Sequence, residues 1–415
     1  MVKDLTEGAD EALEEGPVTA YIGFDPTASS LHVGNLLPIM GLVHLQRHGH
    51  RPIAVVGGGT GLIGDPSGKS QERLLLTRDE VAHNLEGIRS QLEQFLEFDG
   101  VDNPARVVNN LEWLGGLSLV DFLRDVGKHF SVNALLRKES IRRRLEDEEV
   151  GISYTEFSYL LLQAYDFLEL YQRHGCTLQL GGSDQWGNIT AGIDLIRRTS
   201  GEKAHGVVFP LVTTAEGTKF GKTEEGAVWL DPARTSPFRF YQFWINTADG
   251  DVGTYLKYFT LLDRDEIASL ERAVEERAWE REAQRRLAED VTRRVHGEEG
   301  LARAEKATDV LFGGEEITGL GADEIADVFM DVPSSRIGAG ELAGEGKGLV
   351  DLLAETGVAS SKGEARRSID QGGIYLNNRR VPDVDASVTS ADAIEGRFLV
   401  LRKGKKRYHL VKVEG

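Results

Sequence analysis

Pro52-Ile53-Ala54-Val55-Val56 runs straight into Gly57-Gly58-Gly59-Thr60-Gly61-Leu62-Ile63-Gly64-Asp65-Pro66-Ser67-Gly68-Lys69-Ser70. The first five residues show no polar alternation, which is how a strand buried on both faces of a parallel sheet reads. The glycine run that follows matches two phosphate-binding patterns in part and satisfies neither. Gly59, Gly61 and Gly64 fit G-x-G-x-x-G, but that fingerprint must open directly into a helix and lead to an acid-tipped second strand. Here Asp65-Pro66-Ser67-Gly68 breaks any helix, and 79–86 is helical and polar. A P-loop needs four residues between its first glycine and Gly-Lys-Ser, whereas Gly64 and Gly68 enclose three. What survives is a glycine-rich bend after a strand, over which a ligand can lie close to backbone, with Asp65 facing it.

Working outward, the same alternation of strand and helix recurs. Val18-Thr19-Ala20-Tyr21-Ile22 reads as a strand ending in the turn Gly23-Phe24-Asp25-Pro26, and 38–48 as an apolar helix stopped by Gly49. Downstream come an amphipathic helix over 77–98 and a short strand at 106–108. A helix over 154–174 is closed by Gly175. Strand 177–180, helix 184–198 and strand 207–209 follow. This predicts a parallel α/β sheet over residues 1–230, with an insertion at about 110–150. After Asp231-Pro232 only helical patterns rich in Glu and Arg remain, giving an α-helical domain over 231–330. Residues 331–348, with Gly338, Gly340, Gly344 and Gly346, read as a linker. A small α+β unit fills 349–415.

Composition narrows the function. The chain has 415 residues, a mean hydropathy of −0.29 and no apolar run long enough to span a membrane. Its one cysteine, Cys176, can neither form an internal disulfide nor build a metal cluster, which points to a reducing cytoplasm. The net charge of −19 is unevenly spread. Residues 349–415 hold 12 Lys plus Arg against 9 Asp plus Glu, a net of +3, so the remainder carries 36 minus 58, or −22. A basic tail on an acidic body suits an appendage that contacts RNA, because phosphate affinity follows local charge; a solvated mixed surface reads the same way. The acidic body fits a salty cytosol, and a GC-rich genome accounts for the Arg bias equally well.

Three further segments carry chemistry. Leu31-His32-Val33-Gly34-Asn35 opens a helix, whose free N–H groups and partial positive charge suit phosphates. His32 and Asn35 can donate towards oxygens, and Gly34 leaves room for a flat ring. Lys219-Phe220-Gly221-Lys222-Thr223 places two lysines around a glycine, a loop able to close on pyrophosphate; a solvated hairpin turn reads the same way. Tyr159, Gln163 and Asp166 fall at i, i+4 and i+7 of the 154–174 helix, on one face. Solvent faces favour Lys and Glu, so this stripe also suits the wall of a polar pocket.

Taken together these motifs resemble those of bacterial tyrosyl-tRNA synthetases, along essentially the whole chain. The resemblance rests on Tyr21-Ile22-Gly23-Phe24-Asp25-Pro26-Thr27, His32-Val33-Gly34-Asn35 and 61–69, then on Gln163-Ala164-Tyr165-Asp166, 181–188 and 219–223. From about Gly348 the chain resembles an S4-type RNA-binding domain, through 361–367 and 372–377. It implies a Rossmann-like class I catalytic domain, a helical domain and an S4-like tail, acting on L-tyrosine, ATP (with Mg²⁺ carried by ATP) and tRNA(Tyr). By resemblance His32 and Asn35 take the outer positions of the His-x-Gly-His signature. Lys219 and Lys222, with Thr223, take those of the Lys-Met-Ser-Lys-Ser loop. Thr27 joins His32 and Asn35 at the phosphates. Tyr21 and Asp166 would grip the substrate phenol, Tyr159, Asp65 and Gln163 its α-ammonium, with Gln179 and Gln185 lining the pocket. Gly23, Asp25, Gly34, Gly182, Asp184 and Lys222 would face ATP. Lys362, Arg366, Arg367, Arg402, Lys403, Lys405, Lys406 and Arg407 are the tRNA-contact candidates. A homodimer joined through 122–137 is also implied.

Two departures stand out. Asn35 occupies a position where the class signature has histidine, and an extra N-terminal helix usual in the family is missing before Val2-Lys3-Asp4, as if the start were placed late. The rival readings are a tryptophanyl-tRNA synthetase, an RNA-binding cofactor on a retired synthetase scaffold, and a nucleotide-dependent oxidoreductase.

Overall fold

A computed structural model describes every residue except 65–75, 139–140, 143–151, 216, 218–219, 224–225, 314–315, 331 and 405–406, and only the backbone of 222, 223 and 313. Asp65, Lys219, Lys405 and Lys406 therefore lie outside the described residues, as do the side chains of Lys222 and Thr223. Two compact units emerge, Met1–Arg234 with Thr247–Leu287, and Thr235–Asn246 with Ala288–Gly415. Among the described residues no helix is long and apolar enough to cross a membrane.

The first unit is built on six strands: β1 (Asp4–Leu5), β2 (Thr19–Phe24), β3 (Arg51–Val56), β4 (Arg106–Asn109), β5 (Cys176–Gly182) and β6 (His205–Phe209). Their order is β1-β6-β5-β2-β3-β4, parallel throughout except where β1 runs antiparallel to β6. From β2 the chain proceeds outward through β3 and β4, then returns to place β5 and β6 on the other side. A crevice opens outside the carboxyl ends of the strands at such a reversal, and open α/β sheets bind ligands there. The segments flanking it are the turn after β2, ending in the single-turn helix Val33–Asn35, and Ser183–Gln185 after β5.

Helix Tyr154–His174 forms where the pattern predicts it. Its first turn is fixed by a capping box: Ser153 Oγ accepts from the Glu156 N–H at 3.2 Å, and Glu156 accepts in return from the Ser153 N–H. Gly175, in the left-handed region at φ 60°, closes it. Its apolar side joins Tyr21, Ile53, Val55 and Leu195 in one buried cluster through Leu160, Ala164 and Phe167.

In the second unit, strands β7 (Ser334–Gly338), β8 (Ile374–Leu376), β9 (Arg379–Arg380), β10 (Phe398–Lys403) and β11 (Arg407–Glu414) form a sheet of order β9-β8-β10-β11-β7. Alternation along β10 serves two cores. Leu399 and Leu401 pack with Leu349, Leu352, Ile369 and Ile374, while Phe398 and Val400 pack with Val310, Ile325 and Phe329.

Two sequence-based boundaries change. The 331–348 stretch is more than a linker, because Ser334–Gly338 pairs in parallel with β11 and Leu342 is fully buried. Backbone pairing needs no apolar side chain, so glycine-rich composition hid the strand. The 231–330 helical stretch is also divided, with Thr247–Leu287 belonging to the first unit. Helix Asp249–Phe259 spends its aromatic face there: Phe220 lies 4.9 Å from the Tyr255 ring and stacks on Phe259 at 5.2 Å.

Candidate active site

The polar stripe of helix Tyr154–His174 faces inward, and each member finds a different partner. Asp166, 4% exposed, accepts from the Trp113 indole N–H at 2.7 Å and from Asn110 Nδ2 at 2.9 Å. Asn110, itself fully buried, also donates to Thr60 Oγ1 and accepts from the Gly59 N–H at 2.7 Å. The glycine-rich bend is thereby tied to the helix through one amide. Gln163 Nε2 donates to Gln185 Oε1 at 3.2 Å, and Asn188 Nδ2 donates to both glutamine oxygens. The Tyr159 hydroxyl donates to the Asp25 carboxylate at 3.2 Å.

Tyr21 projects from β2 beside this network, its ring 5.3 Å from Phe167. Burial, then the nearby charge of Asp166, holds its hydroxyl well above the ordinary phenol range, so it stays protonated. Gln179 stands across from Tyr21 in the β2–β5 register. Tyr21 Oη and Gln179 Oε1 are both buried and find no partner among the described residues. Each such group costs about 1–3 kcal/mol unless a ligand satisfies it. Burial pushes the Asp166 carboxyl up to about 7, against the opposing pull of its Asn110 and Trp113 donors, while the Asp25 and Glu169 charges add to the rise.

Trp113→Phe keeps the ring and removes one donor. The Asp166 pKa should then rise further, because one of the two donors opposing its burial is gone. The pH profile of Tm between pH 5 and pH 8 is the measurement, and an unmoved profile would rule out the coupling.

At the crevice mouth, His32 caps the turn Val33–Asn35. Its Nδ1 accepts from the Gly34 N–H at 3.0 Å, and Asn35 Oδ1 accepts from the His32 N–H at 3.0 Å. A neutral ring so bonded carries its proton on Nε2, leaving that atom as the donor. Gly34 is needed for a closer reason than a ligand, since a Cβ there would sit 2.7 Å from the His32 ring. The lysine loop comes to the same place. Gly221, at φ 79°, brings its backbone against Val33, where a Cβ would lie 2.7 Å from Cγ2. The Val33 N–H bonds Val228 O at 2.9 Å. Phe220, the first of the two residues between the lysines, is buried. Thr27, Gly23 and Asp184 are exposed and Gly182 is half-buried; Gly182 ends β5 and Asp184 lies in the turn Ser183–Gln185 that follows it.

In the second unit the basic candidates separate. Arg366, Arg367 and Arg407 are exposed, and Lys362 forms an exposed pair with Asp351 at 2.9 Å. Arg402 and Lys403 point elsewhere. Arg402 is 8% exposed, its guanidinium 3.8 Å from the Tyr375 ring centroid, and Lys403 bonds Glu364 at 2.6 Å. Strand alternation turns Arg402 onto the sheet and gives Lys403 an internal partner.

Asn110, Trp113, Thr60 and Asn188 were not singled out from sequence. Asn110 directly follows β4, and a polar residue at the carboxyl end of a parallel strand was the available signal.

Residues 13–313 match the family "tRNA synthetases class I (W and Y)", and residues 324–411 match "Tyrosine--tRNA ligase SYY-like C-terminal domain". The Tyrosine--tRNA ligase of Roseiflexus castenholzii is 58% identical over 413 residues, spanning 100% of this chain and 97% of that protein. The chain belongs to the class I tyrosyl-tRNA synthetases. Tyrosine--tRNA ligase 1 of Bacillus cereus is 53% identical over 98% of this chain and 95% of its own. Among solved structures, a C-terminally truncated mitochondrial tyrosyl-tRNA synthetase from Aspergillus nidulans superposes with a TM-score of 0.67 at 29% identity, over 75% of this chain and 91% of that one. In this tyrosyl-tRNA synthetase the two family matches meet between residues 313 and 324, inside the second compact unit, which also holds Thr235–Asn246 and runs on from Ala288.

Proposed function

We propose that this tyrosine–tRNA ligase binds the phenol of L-tyrosine between Asp166 and Tyr21, and activates the amino acid at the crevice mouth beside them. One observation carries the reading: a buried carboxylate fixed by two donors lies beside two buried polar atoms, Tyr21 Oη and Gln179 Oε1, that the described chain leaves unsatisfied. The substrate hydroxyl donates to Asp166 and accepts from Tyr21. Gln163, Tyr159 and Asp65 take the ammonium end, next to the Gln163–Gln185–Asn188 group.

The tyrosine carboxylate, already ionised, attacks the α-phosphorus of ATP. A carboxyl O–P bond forms, the bond to the β-phosphate oxygen breaks, and pyrophosphate leaves in line. A terminal ribose hydroxyl of tRNA then attacks the carbonyl carbon and AMP departs. No enzyme nucleophile is required, so the protein positions groups and stabilises charge. His32, Asn35 and Thr27 donate to the phosphates, Lys219, Lys222 and Thr223 follow the leaving pyrophosphate, and Mg²⁺ arrives with ATP. Gly34, Gly23, Asp25, Gly182 and Asp184 border the nucleotide. The setting is the cytoplasm, and the exposed apolar residues Leu119, Val120, Leu123 and Val132 support a homodimer through that segment. Pyrophosphate exchange run in parallel with tyrosine, tryptophan and phenylalanine tests the assignment; exchange with tryptophan instead of tyrosine would overturn it.

Arg366, Arg367 and Arg407 are assigned to tRNA phosphates. Deleting 349–415 is a blunt probe, because it strips β7 of its partner β11. Reversing charge is cleaner: Arg366→Glu and Arg367→Glu should each lower kcat/KM for tRNA charging by at least about tenfold. Tyrosine-dependent pyrophosphate exchange should stay unchanged. Normal charging by the double variant would give the tail another purpose.

A further inference from the structure

At the opposite end of the sheet from the crevice, the first unit holds a cavity of about 340 Å³ lined by Thr19, Arg51, Pro52, Ile53, Pro104, Arg106, Arg173 and His174. We infer that this cavity binds the phosphate group of a small molecule, at a site separate from the one that activates tyrosine. Four basic side chains converge on it from three elements: Arg51 opens β3, Arg106 opens β4, and Arg173 and His174 end helix Tyr154–His174. Two have internal explanations. Arg173 pairs with Glu169 at 2.6 Å and suits the negative end of its helix, while His174, its pKa lowered by burial and the neighbouring arginines, is held towards its neutral form.

Arg51 and Arg106 have no such explanation. They stand diagonally on neighbouring strands, Arg106 pairing in register with Ile53, two residues beyond Arg51. Among the described residues neither forms an ion pair; the one side-chain contact of Arg106 is with His174 Nδ1 at 3.1 Å, a neighbour that cannot cancel its charge. Both are exposed, and as diagonal neighbours they set two guanidinium groups of like charge side by side on one face, where an anion could join them. The surrounding field agrees. Burial and then the Arg106 and Arg173 charges lower the His174 pKa, with Glu112 the one opposing carboxylate. Arginine forks match phosphate oxygens in paired hydrogen bonds, and the enclosing Pro52, Ile53 and Pro104 limit the ligand to a compact group rather than an extended strand.

The test titrates inorganic phosphate into the full-length protein by calorimetry, with the nucleotide site filled by a non-hydrolysable tyrosyl-adenylate analogue. One equivalent should bind, more weakly as salt rises. Arg51→Ala and Arg106→Ala should each weaken it at least about tenfold, and Arg51→Lys should retain part of the affinity. Both alanine variants should keep wild-type Tm and pyrophosphate exchange, since neither residue touches the activation site. Absence of saturable binding to the wild-type protein overturns the inference, as does binding that the substitutions leave unchanged. A higher KM for tRNA in both variants without phosphate binding also overturns it, and gives the surface to nucleic acid.

Discussion

Replacing His32 by alanine is expected to slow tyrosyl-adenylate formation by about 10²–10³-fold, the loss of about 2.7–4 kcal/mol that follows removal of one donor from a developing anion. The direction follows from the tautomer. With Nδ1 committed to the Gly34 N–H, Nε2 carries the proton and is the atom able to bond a phosphate oxygen. Tyrosine affinity should not change, because Tyr21, Asp166 and Gln163 take no support from His32. The same substitution also removes a helix cap, for about 1 kcal/mol of stability, and lowers Tm accordingly. His32→Asn separates the two effects. A shorter side chain can still accept from the turn N–H groups, so Tm should recover while the single-turnover rate should not. A rate within a few-fold of wild type in both variants would remove His32 from the chemistry.

What sequence made legible, and what it hid, divides along contact distance. The strip Tyr159–Gln163–Asp166 was readable because helix geometry alone puts i, i+4 and i+7 together, and because those residue types are poor solvent-facing choices. The parallel sheet was readable from the unbroken apolar run at 52–56. Asn110 and Trp113, which hold Asp166, were not, since they lie more than fifty residues earlier in the chain and meet it only when β4 takes its place in the sheet. Arg402 failed for the same reason. Within 402–407 it looks like one more exposed cation, and only the pairing of β10 with β8 and β11 reveals Tyr375 and Tyr408 on either side. Side-chain chemistry can be read locally; the partner that redirects it comes from elsewhere in the chain.

Asp166 gives the second large effect, and its pH dependence makes it the sharper test. Asp166→Ala removes the proposed acceptor for the substrate hydroxyl and strands the Asn110 and Trp113 donors in a buried site. Combined losses of about 3–4 kcal/mol, or 10²–10³-fold in kcat/KM for tyrosine, are expected. Discrimination against phenylalanine should collapse, because phenylalanine never used the lost bond. In the wild-type protein the carboxyl, raised by burial to about 7, must ionise to accept the phenol proton, so the tyrosine KM should climb as pH falls below about 7. Stability moves the other way. A carboxyl whose folded pKa exceeds its unfolded value binds its proton more tightly when folded. Its contribution is therefore full below about pH 3.8 and lost as pH rises through about 7, on the order of 4 kcal/mol in the unliganded protein. Asp166→Asn, which cannot titrate, should flatten both trends at once, leaving a Tm that declines less than wild type between pH 5 and pH 8. Parallel Tm curves for the two proteins, or a wild-type KM for tyrosine that ignores pH across this range, would mean that Asp166 is not the buried, substrate-facing carboxylate on which the specificity argument rests.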